Sequence, residues 1–153
     1  MSYENVVNYF KKYHLEQRIH IFNASTATVA EAANVLGIDA SQIAKTMALM
    51  LKTGPIVIVT AGNAKIANAK YKATFGQKAK MVKFDELETT IGHPAGGVCP
   101  FALKPEVKVY LDESLKQHDI IYPAAGLPNS AIKLTLTELE KYTAPSKWVN
   151  ITK

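Results

Sequence analysis

The stretch Thr46-Met47-Ala48-Leu49-Met50-Leu51, Lys52-Thr53-Gly54, Pro55-Ile56-Val57-Ile58-Val59-Thr60 decides how the rest of the chain is read. Two apolar runs, the second alternating Ile and Val, flank a short link that contains a glycine. β-Branched residues fit a pleated surface, and such a link folds two runs into a hairpin. A sheet with the hairpin in its core is the first expectation.

Working outward, Ser2 to about Tyr13 carries Val6, Val7, Phe10 and Tyr13 as a helical stripe. Arg18 to Asn23 reads as a short strand, with Ile19 and Ile21 on one face and His20 and Phe22 on the other. Thr28-Val29-Ala30-Glu31 has the capping-box pattern and opens a helix that Gly37 closes. Asp39-Ala40-Ser41-Gln42 opens a second, short helix ending near Lys45. Beyond the hairpin, Asn63 is expected to cap a helix running to Phe75, with Gly76 at its end. Met81 to Phe84 is a short strand, and Asp85 to Glu88 starts a helix that Gly92 ends. Val107–Leu111, Ile120–Pro123 and Ile132–Thr135 are further strands, with a turn over Ser114–His118. Thr135-Leu136-Thr137-Glu138 caps a last helix to about Tyr142. Helices and strands mix without strict alternation, which predicts a single α+β domain over residues 1–153, built on a mixed sheet.

The totals narrow the function classes. The 153 residues are 48% apolar and 20% charged, as in an ordinary globular domain. No apolar run reaches the ~18 residues of a membrane span, and the N-terminus has no signal-peptide core. A cytoplasmic protein is the resulting expectation. The single cysteine excludes an internal disulfide, and the four histidines show no metal-ligand spacing, so neither metal nor cofactor is expected. The net charge of +5 is unevenly spread. Between Asp39 and Asp85 there is no acidic residue, while Lys45, Lys52, Lys65, Lys70, Lys72, Lys78, Lys80 and Lys83 all fall there. Such a one-signed interval attracts a polyanion; lysine in place of arginine points to phosphate contact without base readout. The lysines from Lys65 through Lys80 are the candidate nucleic-acid contacts.

Three features carry chemistry. Gly92-His93-Pro94-Ala95-Gly96-Gly97-Val98-Cys99-Pro100 is a shaped loop: its glycines let a ligand approach the backbone, and its prolines hold one conformation. Lys45 is the lone charge between Asp39 and Lys52, at the start of an apolar strand. It is either a snorkelling edge residue or a partly desolvated ammonium able to hold a phosphate or an oxyanion. Ala124-Ala125-Gly126-Leu127-Pro128-Asn129-Ser130 is a second small-residue loop that could wall a pocket opposite the first. Cys99 with His93 offers a nucleophile and base, although a thiol between Val98 and Pro100 reads more simply as a small buried hydrophobe. Asp112 reads as the cap of the turn that follows it.

These residues resemble a known family. Gln42-Ile43-Ala44-Lys45-Thr46, then Gly92-x-x-x-Gly96-Gly97-Val98-Cys99-Pro100, then Val109 to Leu115, then Ala125-Gly126 ahead of Ile132-x-Leu134, occur in the order of the YbaK/ProRS-associated editing family. The resemblance implies a barrel-like mixed sheet surrounded by helices and hydrolysis of the ester between a wrong amino acid and tRNA, often tRNA(Pro). It also implies aminoacyl-tRNA as partner, with prolyl-tRNA synthetase as a second. By this resemblance Lys45 matches the essential lysine, and Gly96 and Gly97 belong to the loop around the reacting ester. Thr46, Val98, Cys99, Pro100, Ala125 and Gly126 become substrate-binding positions, and Phe22 an aromatic pocket position. The expected substrate is a small uncharged amino acid such as alanine, serine, cysteine or threonine. A catalytically inactive tRNA- or synthetase-binding module is the alternative function, and a Cys99/His93 hydrolase a third. The chain departs from relatives specific for cysteinyl-tRNA(Pro) at Cys99, at Ala102 and over Leu127–Ala131.

Overall fold

The computed structural model describes residues 2–153. In chain order the elements are α1 (Ser2–Lys11), β1 (Ile19–Ile21), α2 (Val29–Leu36), β2 (Ile43–Leu51), β3 (Gly54–Ala61), α3 (Asn68–Phe75) and α4 (Leu87–Thr90). They continue with β4 (Lys108–Asp112), β5 (Ile120–Pro123), β6 (Ser130–Ile132), β7 (Leu134–Thr135), α5 (Leu136–Thr143) and β8 (Lys147–Val149).

The hairpin forms as the sequence predicts and is longer than the two apolar runs. β2 and β3 pair antiparallel from Ala44↔Ala61 to Leu51↔Gly54. They are the central strands of a six-stranded sheet of order β7-β5-β2-β3-β4-β8, in which β5 joins β2 in parallel and β4 joins β3 in parallel. The sheet curls into a half-barrel, and a separate antiparallel pair, β1 with β6, flanks it. This is the expected α+β architecture with a mixed, barrel-like sheet.

The two faces are covered by different elements, which is why the runs are apolar throughout. Ala44, Ala48, Val57 and Val59 face the larger core with Val6 and Phe10 of α1, Leu139 of α5 and Phe101. Leu49, Ile56 and Ile58 face a smaller core with Tyr71 of α3, Val149 and Ile151. Burying each Val, Leu or Ile side chain among these is worth ~1.5–3 kcal/mol, so the hairpin anchors both layers.

Helix ends follow the caps. Thr28 accepts from the Glu31 amide and Gly37 closes α2; the Glu31 carboxylate takes the Thr28 hydroxyl, not the cap amide. Thr135 and Glu138 form the full reciprocal capping box of α5. Four expectations need correction. The helix predicted from Asn63 starts only at Asn68, because Ile66 bridges Thr152 and Lys153 donates to the Lys65 carbonyl, so tertiary pairing overrides the cap signal. Met81–Phe84 is not a strand: the chain there touches β2 through two main-chain bonds and then turns at Phe84. Ile132–Thr135 divides at Lys133 into β6 and β7, which pair with different partners. β8, a three-residue edge strand against β4, has no sequence signal of its own and was not expected. Among the described residues no helix is long and apolar enough to cross a membrane.

Candidate functional site

The edge of β2 is left open in its middle. β5 pairs with β2 only at Ile43 and Ala44. Further along, the Val82 amide donates to Ala48 at 3.0 Å and the Met50 amide to Lys80 at 2.8 Å. Lys45, Thr46 and Met47 lie between these two contacts with no strand on that side. Main-chain groups alternate sides along a strand; since Ala48 and Met50 direct theirs toward residues 80–82, Thr46 directs its own into the gap. The Thr46 hydroxyl is also buried with no hydrogen-bond partner among the described residues. A cavity of about 430 Å³ opens at this gap, within the range of small-molecule sites.

The first turn of α2 and the residues before it (Thr26, Ala27, Thr28, Val29) form one wall, and the β2 residues Ile43 to Ala48 form another. The glycine loop supplies Ala95, Gly96 and Val98, the second small-residue loop supplies Ala124, Ser130 and Ala131, and Met81, Val82, Phe84 and Leu87 close the remaining side. Lys45 is the one charged side chain among the described residues of this lining. Its Nζ donates to the Ala64 carbonyl at 2.8 Å, which fixes the ammonium at the wall. Burial pushes its pKa below the usual lysine value, and the like charge of Lys65 adds to the shift. A partly desolvated cation beside unpaired polar groups can hold a phosphate or a developing oxyanion.

Of the residues singled out from the sequence, Lys45, Thr46, Gly96 and Val98 meet at this cavity. Gly97, Cys99, Pro100, Ala125, Gly126 and Phe22 do not line it. A Cβ on Gly97 would stand 2.7 Å from the Gly126 main chain, so the two glycine loops meet back to back behind the cavity. The Gly97 amide donates to the Pro94 carbonyl at 3.0 Å. Phe22 is held at the β1 end by Asn129, whose carbonyl accepts from the Phe22 amide and whose side-chain amide donates to the Phe22 carbonyl.

His93 and Cys99 are fully buried in the same back layer. His93 Nε2 lies 2.6 Å from the Phe101 carbonyl, which can only accept, so the proton sits on Nε2 and the Ser2 hydroxyl faces Nδ1. Burial lowers the His93 pKa, against the opposing effect of the Phe101 carbonyl. Burial pushes the Cys99 thiol up to about 12, and its Sγ lies 3.5 Å from His93 Nε2. A thiol held protonated and shut off from the cavity gives the Cys99/His93 hydrolase no nucleophile. Ala102 holds φ of +52°, in the left-handed region that favours glycine.

The lysines of the acid-free interval have separate fates. Lys70 donates to the Thr152 carbonyl at 2.8 Å and to Asn150 at 3.3 Å, tying α3 to the last strand segment. Lys72 and Lys78 flank a groove with Asn68, Ala69 and Ala79, Lys65 stands beside Lys45, and Lys80 sits on the segment bonded to β2. Asp112 caps the turn after β4, as expected. It also accepts from the Ile151 amide at 2.8 Å and from the Thr152 hydroxyl at 2.8 Å, two partners that the sequence did not reveal. Among the described residues no three His, Cys, Asp or Glu side chains converge as a metal site.

The half-barrel with Lys45 at a gap in its sheet belongs to the small α+β folds. The chain matches, over 99% of its length and with a TM-score of 0.88 at 23% identity, 97% of a solved structure titled "Crystal structure of a putative trans-editing enzyme for prolyl tRNA synthetase", a likeness in fold. The sequence carries the assignment further: residues 23–142 match the aminoacyl-tRNA editing domain, and the chain belongs to that family. A protein of Bacillus subtilis named "Uncharacterized protein YwhH" is 40% identical over 154 residues, all of this chain and 98% of its own length. An Enterococcus faecalis protein named "Putative Cys-tRNA(Pro)/Cys-tRNA(Cys) deacylase EbsC" is 36% identical over 112 residues, 72% of this chain and 66% of that protein.

Proposed function

We propose that this chain is a trans-editing deacylase that hydrolyses the ester of a small, uncharged amino acid mischarged onto tRNA, with tRNA(Pro) as the leading acceptor. The observation that carries the reading is Lys45: a half-buried ammonium anchored to Ala64, alone among small and apolar side chains on a cavity wall. Membership of the editing family supplies the reaction class. The acceptor is taken from the likeness to EbsC and from the resemblance in sequence.

In this reading Lys45 holds the terminal phosphate or the carbonyl oxygen as charge develops on it, and main-chain groups of Gly96 and Val98 complete the cradle. Water adds to the ester carbonyl carbon. The carbon–oxygen bond to the ribose then breaks, the amino acid leaves as the carboxylate, one proton of the water passes to the ribose oxygen and the other is released to solvent. The neighbouring free ribose hydroxyl, a role taken from the family resemblance, helps activate the water. The lysines from Lys65 to Lys80 bind the acceptor stem phosphates, with Lys70 the least free to do so. Ala27, Ala32, Ala44, Ala48, Ala124 and Ala131 leave room for a short side chain, and with Lys45 engaged by the phosphate or carbonyl oxygen the lining offers no further partner to a charged one, whose unpaired burial would cost several kcal/mol.

Deacylation of tRNA(Pro) charged with alanine, serine, cysteine, threonine, proline or aspartate tests this. Turnover of one or more of the first four, overlapping within ~10- to 200-fold, with prolyl and aspartyl esters spared, is the expected result. Hydrolysis of none of the six sinks the reading, as does preference for prolyl- or aspartyl-tRNA.

A further inference from the structure

The cavity rim carries a feature that the hydrolysis does not use. Phe84 is 81% exposed, the most exposed of the large hydrophobic residues, and Met81 is 54% exposed. Both line the same cavity as Lys45. Leaving a whole phenyl ring in water forgoes ~1.5–3 kcal/mol of burial. The ring is not loosely placed: Val82 and Lys80 are bonded to β2 just before it, and Phe84 opens the 3-10 turn that leads into α4. Lys78, Lys80 and Lys83 are exposed on the approach, whereas Asp85, Glu86 and Glu88 follow on the far side. The segment is thus polarised, with cations before the ring and carboxylates after it.

We propose that Phe84 is a stacking platform for the base of the 3′-terminal nucleotide of the acylated RNA, with Met81 beside it. This rests on the deacylase reading, which puts an amino acid ester inside the cavity and therefore the nucleotide bearing it at the mouth. An aromatic face takes any base by its π surface, and the lysines before it receive the phosphates of the strand as it leaves. The carboxylates repel the strand from the opposite exit, so the RNA leaves past Lys83 and Lys80. Phe84 would add affinity and would not touch the reacting atoms, so its removal acts on KM and leaves kcat nearly unchanged.

The test uses the fastest ester of the deacylation panel on two tRNAs, one ending in adenine and one with that base replaced by an abasic ribose. Wild type, Phe84→Ala and Phe84→Tyr are compared, with thermal unfolding as the fold control. The expected result is that Phe84→Ala raises KM about tenfold on the intact tRNA, matches wild type on the abasic one, and is rescued by tyrosine. An equal loss on both tRNAs, or a wild type indifferent to the missing base, overturns the proposal while leaving the deacylase reading intact. An effect of Phe84→Ala seen only when prolyl-tRNA synthetase is added makes the patch a protein dock and also overturns it. A wild type inactive on every ester removes both readings.

Discussion

The two glycine loops look alike in sequence and do different work. The loop from Gly92 to Pro100 gives Ala95, Gly96 and Val98 to the cavity, whereas the second loop gives it Ala124, Ser130 and Ala131 and keeps Ala125 and Gly126 behind. Gly126 has φ of +94°, and a Cβ there would lie 3.0 Å from the Tyr3 main chain and from the Ser2 hydroxyl oxygen. The first loop has both characters within two residues. Gly96, φ +82°, faces the cavity, and Gly97 backs onto Gly126. Glycine on the front lets the loop close against the Pro128 and Ala27 side chains, which a Cβ on Gly96 would meet at 3.0 and 3.1 Å, and glycine on the back lets two backbones touch. Composition alone does not tell the two apart.

The sharpest way to break this division is on the front. Lys45→Ala should lower kcat for deacylation on the order of 10²-fold or more, with an unfolding midpoint close to wild type, because it removes charge from the cavity and leaves the sheet. A variant with near wild-type turnover would show that the cavity is not where the ester reacts. On the back, Gly97→Ala should cost roughly 1–3 kcal/mol of stability in urea unfolding, because its methyl meets fixed main chain. The folded fraction should keep its amino-acid preference. Unchanged stability with a changed preference would move Gly97 to the front.

The smallest effect separates the layers by pH. His93 has a folded pKa below its ordinary 6.5, so below that pH the unfolded chain takes up a proton that the folded chain does not. Stability should therefore be full above about pH 6.5 and decline as the pH falls through it, by at most ~1.4 kcal/mol per pH unit. Among the described residues the cavity lining carries no histidine or carboxylate, so the cavity does not contribute to this decline. Urea unfolding of wild type and His93→Gln between pH 7.5 and 5.5 checks it; parallel slopes would exonerate His93.

What the sequence made legible was whatever depends on local pattern. The hairpin showed in its Ile/Val run, the caps of α2 and α5 in Thr28 and Thr135, and Lys45 in its isolation among apolar neighbours. What stayed hidden depends on partners distant in the chain. Asn63 looked like a cap until Thr152 claimed Ile66, and β8 is too short to announce itself. Met81–Phe84 read as a strand because its apolar residues were assumed to be covered. Phe22, Gly97, Cys99, Pro100, Ala125 and Gly126, site positions by the family resemblance, do not line this cavity, and order along the chain does not say which way each residue faces. The departure at Cys99 from the cysteinyl-tRNA(Pro) relatives accordingly lies off the cavity wall, where it can act on specificity only through packing.

The gap along β2 has a consequence for solubility. Unpaired strand edges invite other chains to add a strand, which is how sheets aggregate. Here the free edge spans only Lys45, Thr46 and Met47, with β5 bonded on one side and residues 80–82 on the other. Three residues beside a cation are too few to template a foreign strand. The protein can thus keep main-chain groups free for a ligand without offering a nucleus for fibre growth.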